Sequence, residues 1–526
     1  MPIQEPSEDE RQGYYYGLHS SPNLIARSST TPWSQRREWP DRKKLDVATG
    51  HAIQQPWNDP QGSLQRLIVG VLTLARIDWT AIDILRVGYV SFGEDPRRTP
   101  ERPVTMLISV STDSTTFQQA KAAIIACKEI LAQFNLDDVE VEIKESIVTT
   151  AASSTSSAPS DPKTGMEPPL LHPGPFDNDM ADFKYELLHD ISEYTGTAIG
   201  TPSSLHLFKE GTTGVYLRDS KGTAYLLTCR HVLFAPEDID KYRYQAGNDT
   251  RDVLQPGGNN LYNLVGRFKT QKATIDESIE VFRKPLYNTP ESQPKIQELL
   301  QEQRLLQSCQ PYIDQFSNDV CPVLGRVEFS PPIELCSQHD RLKDWALVEL
   351  SQDSFTTKLS KLRNKIPVTH QLQFMVKHVP VSPARRPLRL DFSHSHELAI
   401  GPLPIPEPEL KAASPPGELF VVKHGKTTGF TVGRANGIHS LIRHANDVIG
   451  DVTSSEWCII GDNAFSDDGD SGACVFDLEG RIGGIITSGL KAENNPLGKH
   501  DVTYASTIEW LLEDIARHGY DLKLPN

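Results

Sequence analysis

Positive charge, long apolar runs and patterned cysteines are what this chain of 526 residues has least of. Lysine and arginine number 53 against 69 aspartates and glutamates, for a net charge of −16. Phosphate recognition needs clustered cations, so neither nucleic acid nor an anionic membrane is expected as a partner. Small basic runs such as Arg36-Arg37 and Lys43-Lys44 read as solvated tail. The longest apolar run, Leu67 to Ala75, is too short to span a bilayer. Met1 to Arg11 is polar and acidic, so no secretory signal is expected. The seven cysteines are an odd number and scattered, with no CxxC pair and no His/Cys ligand spacing. Free thiols in a reducing, intracellular compartment, with no structural zinc and no cofactor, are the expectation.

What is present gathers around Gly461 to Gly489, whose centre is Gly469-Asp470-Ser471-Gly472. A serine between two glycines in a tight turn, followed by the apolar strand Ala473 to Phe476, a turn and a second strand Ile482 to Ile486, displays its hydroxyl on a rigid support. The N–H groups of Gly469 and Ser471 are placed to hold an oxyanion. A glycine-rich hairpin turn would look the same taken alone, and a serine is a poor nucleophile without a base and an orienting carboxylate. The chain offers both. Tyr225 to Leu233 is an apolar strand that ends in His231, and Asp344 opens another apolar strand, Asp344 to Leu350.

The order His231, Asp344, Ser471, in segments reading TCRHV, DWALV and GDSG, resembles the chymotrypsin-like (trypsin-fold) serine proteases, most closely an intracellular fungal type. The resemblance covers roughly Thr195 to Tyr520. It implies a mainly β protease domain of two six-stranded antiparallel barrels that hydrolyses peptide bonds in a protein or peptide substrate. Ser471 is then the nucleophile, His231 the base and Asp344 its orienter. By offset it also implies that Phe465, six positions before the nucleophile, lies at the base of the substrate side-chain pocket, and that Thr487, Ser488 and Gly489 form the edge that pairs with substrate backbone. His424 and Asp470 are the nearest competitors for the triad positions. Two departures stand out. No basic residue followed by an Ile-Val-Gly-Gly-type start precedes the barrel, so Asp470 needs a partner other than a new N-terminus. The disulfide common beside the histidine in secreted members is also missing.

Length and apolar content allow at least two cores. Residues 1–61 read as an extended arm. Residues 62–148 read as a small α/β accessory domain: Ser63 to Ala75 is a helix or buried strand, Ile84 to Val90 and Val104 to Val110 are strands, a helix capped near Ser114 or Thr115 carries Phe117 to Phe134, and Val139 to Ile143 alternate as a strand. No nucleophile or phosphate loop appears there, which leaves a regulatory role as the default. Residues 149–176, rich in Ser, Thr, Ala and Pro, read as a disordered linker, the one stretch an open protease cleft would accept, self-cleavage included. Residues 177–526 form the protease domain, with a short helix from Ala181 to Ile191, a helical insertion over Lys295 to Phe316, a Pro-rich connection from Val381 to Gly417 and a C-terminal helix over Ile508 to His518. The competing class is a catalytically silent binding or signalling scaffold on the same fold. An α/β-hydrolase is opposed by the chain order, which there runs Ser, acid, His.

Overall fold

The computed structural model describes residues 3–33, 42–90, 102–150, 153–155, 163–165, 170, 188–202, 208–247, 250–315, 320–336, 339–367, 369, 372, 397–411, 419–446, 450–495 and 498–526. The expected helix Ala181 to Ile191 and the connection Val381 to Gly417 therefore lie largely outside the described residues. Of the former, His189–Ile191 is a single 3-10 turn.

Residues 1–61 supply β1 (Leu24–Arg27) and β2 (Arg42–Val47) and bury Tyr14, Tyr15 and Trp57. The two tyrosine hydroxyls donate to the Glu142 carboxylate at 2.6 and 2.7 Å, which gives these amphipathic rings a polar partner inside the core. Next come α1 (Leu64–Leu74), β3 (Trp79–Val90), β4 (Val104–Val110), α2 (Phe117–Gln133) and β5 (Glu140–Glu145). The ambiguous run is thus a helix, with Leu64, Ile68 and Leu72 buried four apart on one face. The cap of α2 is Thr116, not Ser114 or Thr115: its hydroxyl accepts from Gln119 N–H while the Gln119 side chain accepts from Thr116 N–H.

Three short strands follow where a linker is expected: β6 (Ile147–Thr150), β7 (Ser153–Thr155) and β8 (Lys163–Gly165). The main elements that follow among the described residues are β9 (Ala198–Gly200), β10 (Phe208–Thr212), β11 (Val215–Arg218), β12 (Ala224–Thr228), the one-turn helix α3 (Arg230–Leu233), β13 (Asp252–Leu254), the helices α4 (Gly258–Arg283) and α5 (Gln293–Gln315), β14 (Val320–Ser330) and β15 (Ala346–Leu350). After these come β16 (Leu419–Gly425), β17 (Gly429–Ala435), β18 (Ser440–Asn446), β19 (Gly450–Gly461), β20 (Cys474–Asp477), β21 (Ile482–Lys491), β22 (Val502–Thr507) and α6 (Ile508–Arg517). The insertion is a pair of helices rather than one. Both close on a core with Leu254 through Leu264, Phe268, Leu299, Leu306 and Ile313.

Mainly β structure results, in two large sheets. One runs β11-β12-β15-β14-β13-β9-β10-β7. The other runs β1-β5-β4-β3-β18-β19-β17-β16-β20-β21-β22, and β19 also pairs β22, so its last six strands hydrogen-bond in a closed cycle. The joint between the N-terminal strands and this cycle is β3 against β18, with Leu441 opposite Ile82 and Ile442 opposite Ala81. Apolar strands facing helices on one side and each other on the other explain the near-continuous burial of β4, β21 and β22. α6 packs Ile508, Trp510, Leu511 and Ile515 inward and accepts the Trp345 indole N–H on Asp514 at 2.9 Å, tying the chain beside Asp344 to the C-terminal helix.

Candidate active site

The site lies where the two sheets meet, and each functional side chain is delivered by a different strand end. β12 stops at Thr228, so His231 stands on the one-turn helix α3 that follows and not at the end of the strand, as the sequence suggests. Arg230 locks that turn: its buried guanidinium donates to the Ser330 hydroxyl and to the carbonyls of Pro331, Asp238 and Asp240. Asp344 precedes β15, the direct neighbour of β12 in the sheet. Ser471 sits in the turn before β20. Its carbonyl accepts from Thr212 N–H at 2.8 Å, and the adjacent Gly472 N–H donates to Ile486 at 2.8 Å.

These anchors bring the three residues into line. Ser471 Oγ is 2.7 Å from His231 Nε2, and His231 Nδ1 is 2.5 Å from Asp344 Oδ2. The other carboxylate oxygen of Asp344 accepts the His231 backbone N–H at 3.0 Å, so both oxygens fix the histidine. Burial pushes the Asp344 carboxyl up, but the His231 imidazole, hydrogen bonds from its ring and backbone, and the Arg230 charge outweigh that and hold it below its ordinary value. Asp344 therefore stays ionised and faces one edge of the imidazole while the other faces a hydroxyl. Such an arrangement can draw a proton from the serine.

The turn itself is set by backbone geometry. Gly469 has φ +106° and Gly472 φ +91°, and a Cβ on Gly472 would lie 2.4 Å from the Thr212 carbonyl oxygen. Gly469 and Ser471 N–H groups have no acceptor among the described residues, while the Gly469 carbonyl is held by the Thr212 hydroxyl at 2.8 Å. Asp470, which the sequence leaves in need of a partner, finds a lysine. Lys423 Nζ is 3.3 Å from its carboxylate, with both side chains fully buried. Asp470 also accepts from the Thr427 and Thr428 N–H groups, the Thr428 hydroxyl and the Asp467 N–H. Sequence reasoning missed Lys423, although a lysine in the apolar strand Leu419–Gly425 was a signal: a charge that cannot reach water needs a counter-charge.

The remaining expected residues are placed as follows. Phe465 is buried in the core with Val421, Ile459, Ala473 and Val475, and its carbonyl accepts from the Thr431 hydroxyl. The Thr487 carbonyl oxygen is 3.2 Å from Ser471 Oγ, and Ser488 and Gly489 continue along β21. His424 is spent elsewhere, with Nδ1 on the Gly196 carbonyl, and burial, with His189 and Lys423 nearby, drives its pKa well below that of a free imidazole. Ser471 is fully buried, although the sequence reads as a turn that displays its hydroxyl. Unforeseen is His500, whose ring lies 2.2 Å from where a Cβ on Gly489 would stand. Nδ1 of that ring bonds Ser466 Oγ at 3.0 Å.

Among the described residues, two clusters bring metal-ligand atoms within 4.8 Å of one another, Cys229/His231/Asp344 and Asp467/Asp468/His500. In the first, burial and then the Asp344 charge raise the Cys229 thiol well above its free value, and it donates to the Ile486 carbonyl. In the second, Asp468 pairs with Lys491 at 2.7 Å and both His500 nitrogens are hydrogen-bonded. The ligand atoms of each set are already committed to protein partners.

No protein-family model matches the chain, and no curated protein matches it. Among solved structures, it is similar to a Nocardiopsis protease (NAPase) at 12% identity and a TM-score of 0.28, covering 63% of this chain and 98% of that one. It is also similar to a Cellulomonas bogoriensis chymotrypsin at 11% identity and a TM-score of 0.26, covering 63% of this chain and 97% of the other.

Proposed function

We propose that this chain is a serine endopeptidase that works through an acyl-enzyme. The observation that carries the reading is the line Ser471 Oγ, His231, Asp344, with 2.7 Å and 2.5 Å between successive atoms, assembled from residues 240 and 113 positions apart. Ser471 attacks the scissile carbonyl, His231 takes its proton and passes it to the leaving amine, and Asp344 holds the imidazole and stabilises its cation. Gly469 and Ser471 N–H hold the oxyanion. Thr487, Ser488 and Gly489 pair with the backbone of a protein or peptide substrate. Phe465, six residues before the nucleophile, makes the side-chain pocket apolar at its base, so Arg or Lys is not selected. The strands of residues 177–526 form the two barrels of such an enzyme, and the N-terminal unit acts on it as a regulator. Six buried free thiols among the described residues suit a reducing, intracellular setting.

A fluorophosphonate probe tests the assignment. Wild type is expected to be labelled at Ser471, and Ser471→Ala, His231→Ala and Asp344→Asn to lose peptide hydrolysis by about 10⁴-fold or more while keeping the far-ultraviolet circular dichroism of wild type. An unlabelled wild-type protein would leave the silent scaffold as the reading.

A further inference from the structure

A strand of the N-terminal unit lies along the side of β21 that a substrate backbone needs. β22 pairs with Gly484 to Leu490 on one side of β21, and β20 pairs with Ile482 to Ile485 on the other. β6 takes up that second side where β20 leaves it, in antiparallel register, with Ile147 opposite Lys491, Val148 opposite Leu490, Thr149 opposite Gly489 and Thr150 opposite Ser488. Ser488 and Gly489 belong to the proposed substrate edge, and the next carbonyl along it, that of Thr487, is 3.2 Å from Ser471 Oγ. A sheet edge pairs with one strand at a time, since the first uses up its outward N–H and C=O groups.

The two ends of β6 are held differently. Ser146, just before it, is fully buried and fixed three ways: its N–H donates to the Val110 carbonyl at 3.0 Å, its carbonyl accepts from the Thr80 hydroxyl at 2.8 Å, and its hydroxyl accepts from the Lys144 ammonium at 2.8 Å. That end is bolted to β3, β4 and β5. Toward Thr150 the hold is lighter. Val148 is half-buried against the cluster that includes Leu490, Val502 and Tyr504, Thr149 Oγ1 is 3.0 Å from His500 Nε2 and 3.4 Å from Asp468 Oδ1, and Thr150 is exposed. A strand end with so few buried contacts opens at low cost compared with the core.

We infer that β6 is a resident pseudosubstrate: it closes the peptide-binding edge of the protein, and a substrate strand is cut only when β6 has peeled away from its Thr150 end. The inference rests on the endopeptidase reading of Ser471 and names how the N-terminal unit regulates it. Ser146 stays in place during the exchange, so the displaced strand remains beside the edge at an effective concentration on the order of millimolar. A free peptide at lower concentration competes with it at a disadvantage. His500 is the latch: its ring is buried and held at Nδ1 by Ser466, which presents Nε2 to Thr149.

Opposite residues of an antiparallel pair stand about 4.5–5.5 Å apart, within reach of a disulfide. Val148→Cys/Leu490→Cys in the full-length protein therefore locks β6 to β21 when oxidised, with the cross-link followed by thiol titration. The locked protein is expected to lose hydrolysis of a fluorogenic peptide by about 100-fold or more. It keeps labelling of Ser471 by a fluorophosphonate, which is too small to need the edge, and regains wild-type turnover on reduction. The lock is switched by reductant within one sample, so it reads the exchange without comparing two folds. In the opposite direction, one of two consecutive residues in such a pair is hydrogen-bonded to the partner, and Val148→Pro/Thr149→Pro breaks the ladder whichever it is. That variant is expected to raise kcat/KM by about 10-fold or more through KM, with labelling unchanged. A labelled protein whose peptide turnover is the same oxidised and reduced, or whose proline variant matches wild type, overturns the pseudosubstrate and leaves the endopeptidase reading standing. Wild type and variants that are neither labelled nor active overturn the endopeptidase reading, and the pseudosubstrate with it.

Discussion

Lys423 and Asp470 show how much of the geometry around Ser471 rests on one buried pair. Two unit charges 3.3 Å apart, both fully buried, stabilise each other only as a pair. Removing one leaves the other uncompensated, at a cost of about 3–5 kcal/mol. Burial lowers the Lys423 pKa, and the Asp470 charge and hydrogen bond oppose that fall. Lys423→Met is expected to melt lower than wild type and to lose most of kcat with little change in KM, because Asp470 also holds Thr427 and Thr428. The double variant Lys423→Met/Asp470→Leu should recover stability but not kcat. A double-mutant cycle on urea denaturation and turnover measures both. The sequence shows that Asp470 needs a partner and does not show which, since the pairing is made by the register of β16 on β20, where Lys423 lies opposite Val475. Ser471, His231 and Asp344 were legible for the opposite reason: each stands at the end of an apolar run, beside a turn residue or a break in the pattern.

At the scale of elements, β19 is the strand on which the two halves of its sheet turn. Gly450 to Glu456 pair with β18, and Trp457 to Gly461 pair with β22 and β17. Glu456 marks the changeover, buried and 4.0 Å from Arg341, and burial, against that charge, pushes its carboxyl up to about 7. A carboxyl with a raised pKa binds its proton more tightly when folded. Its stabilising share is complete below the unfolded value, near 4.3, and is lost as pH rises through about 7. Stability from this group should therefore fall between pH 5 and pH 8, and Glu456→Gln should flatten that portion. Urea midpoints of both proteins at the two pH values decide it. Among elements, α5 was legible from Ile296, Leu299, Leu306 and Ile313, whereas α4 was not. Its buried positions 261, 264, 268, 275 and 279 have the helical spacing, but Gly266 and a mean of mostly polar neighbours hide it. β6 and β7 were also hidden, because Ser-, Thr- and Ala-rich stretches carry no burial pattern and become strands only by joining an edge that already exists.

For the whole molecule, the break in composition near residue 149 suggests two separable domains, yet the sheet does not break there. β3 joins β18, Trp57 Nε1 donates to the His439 carbonyl at 2.8 Å, and Tyr504 Oη lies 3.1 Å from both oxygens of Asp83. Contacts between residues this far apart in sequence leave no local trace, which is why the halves read as independent. A chain lacking residues 1–146 is expected to yield little soluble monomer, because the edge of β18 and the buried Ile438 and Leu441 would face water. Size-exclusion chromatography of that truncation, beside the full chain, measures it.

The ammonium that steadies Asp470 comes from the middle of a strand, not from the end of a chain. Its arrival depends on one event, the zipping of Leu419–Gly425 onto Cys474–Asp477. On the proposed peptidase reading, the Asp470 contact is thus set by folding itself and asks for no newly cut chain end.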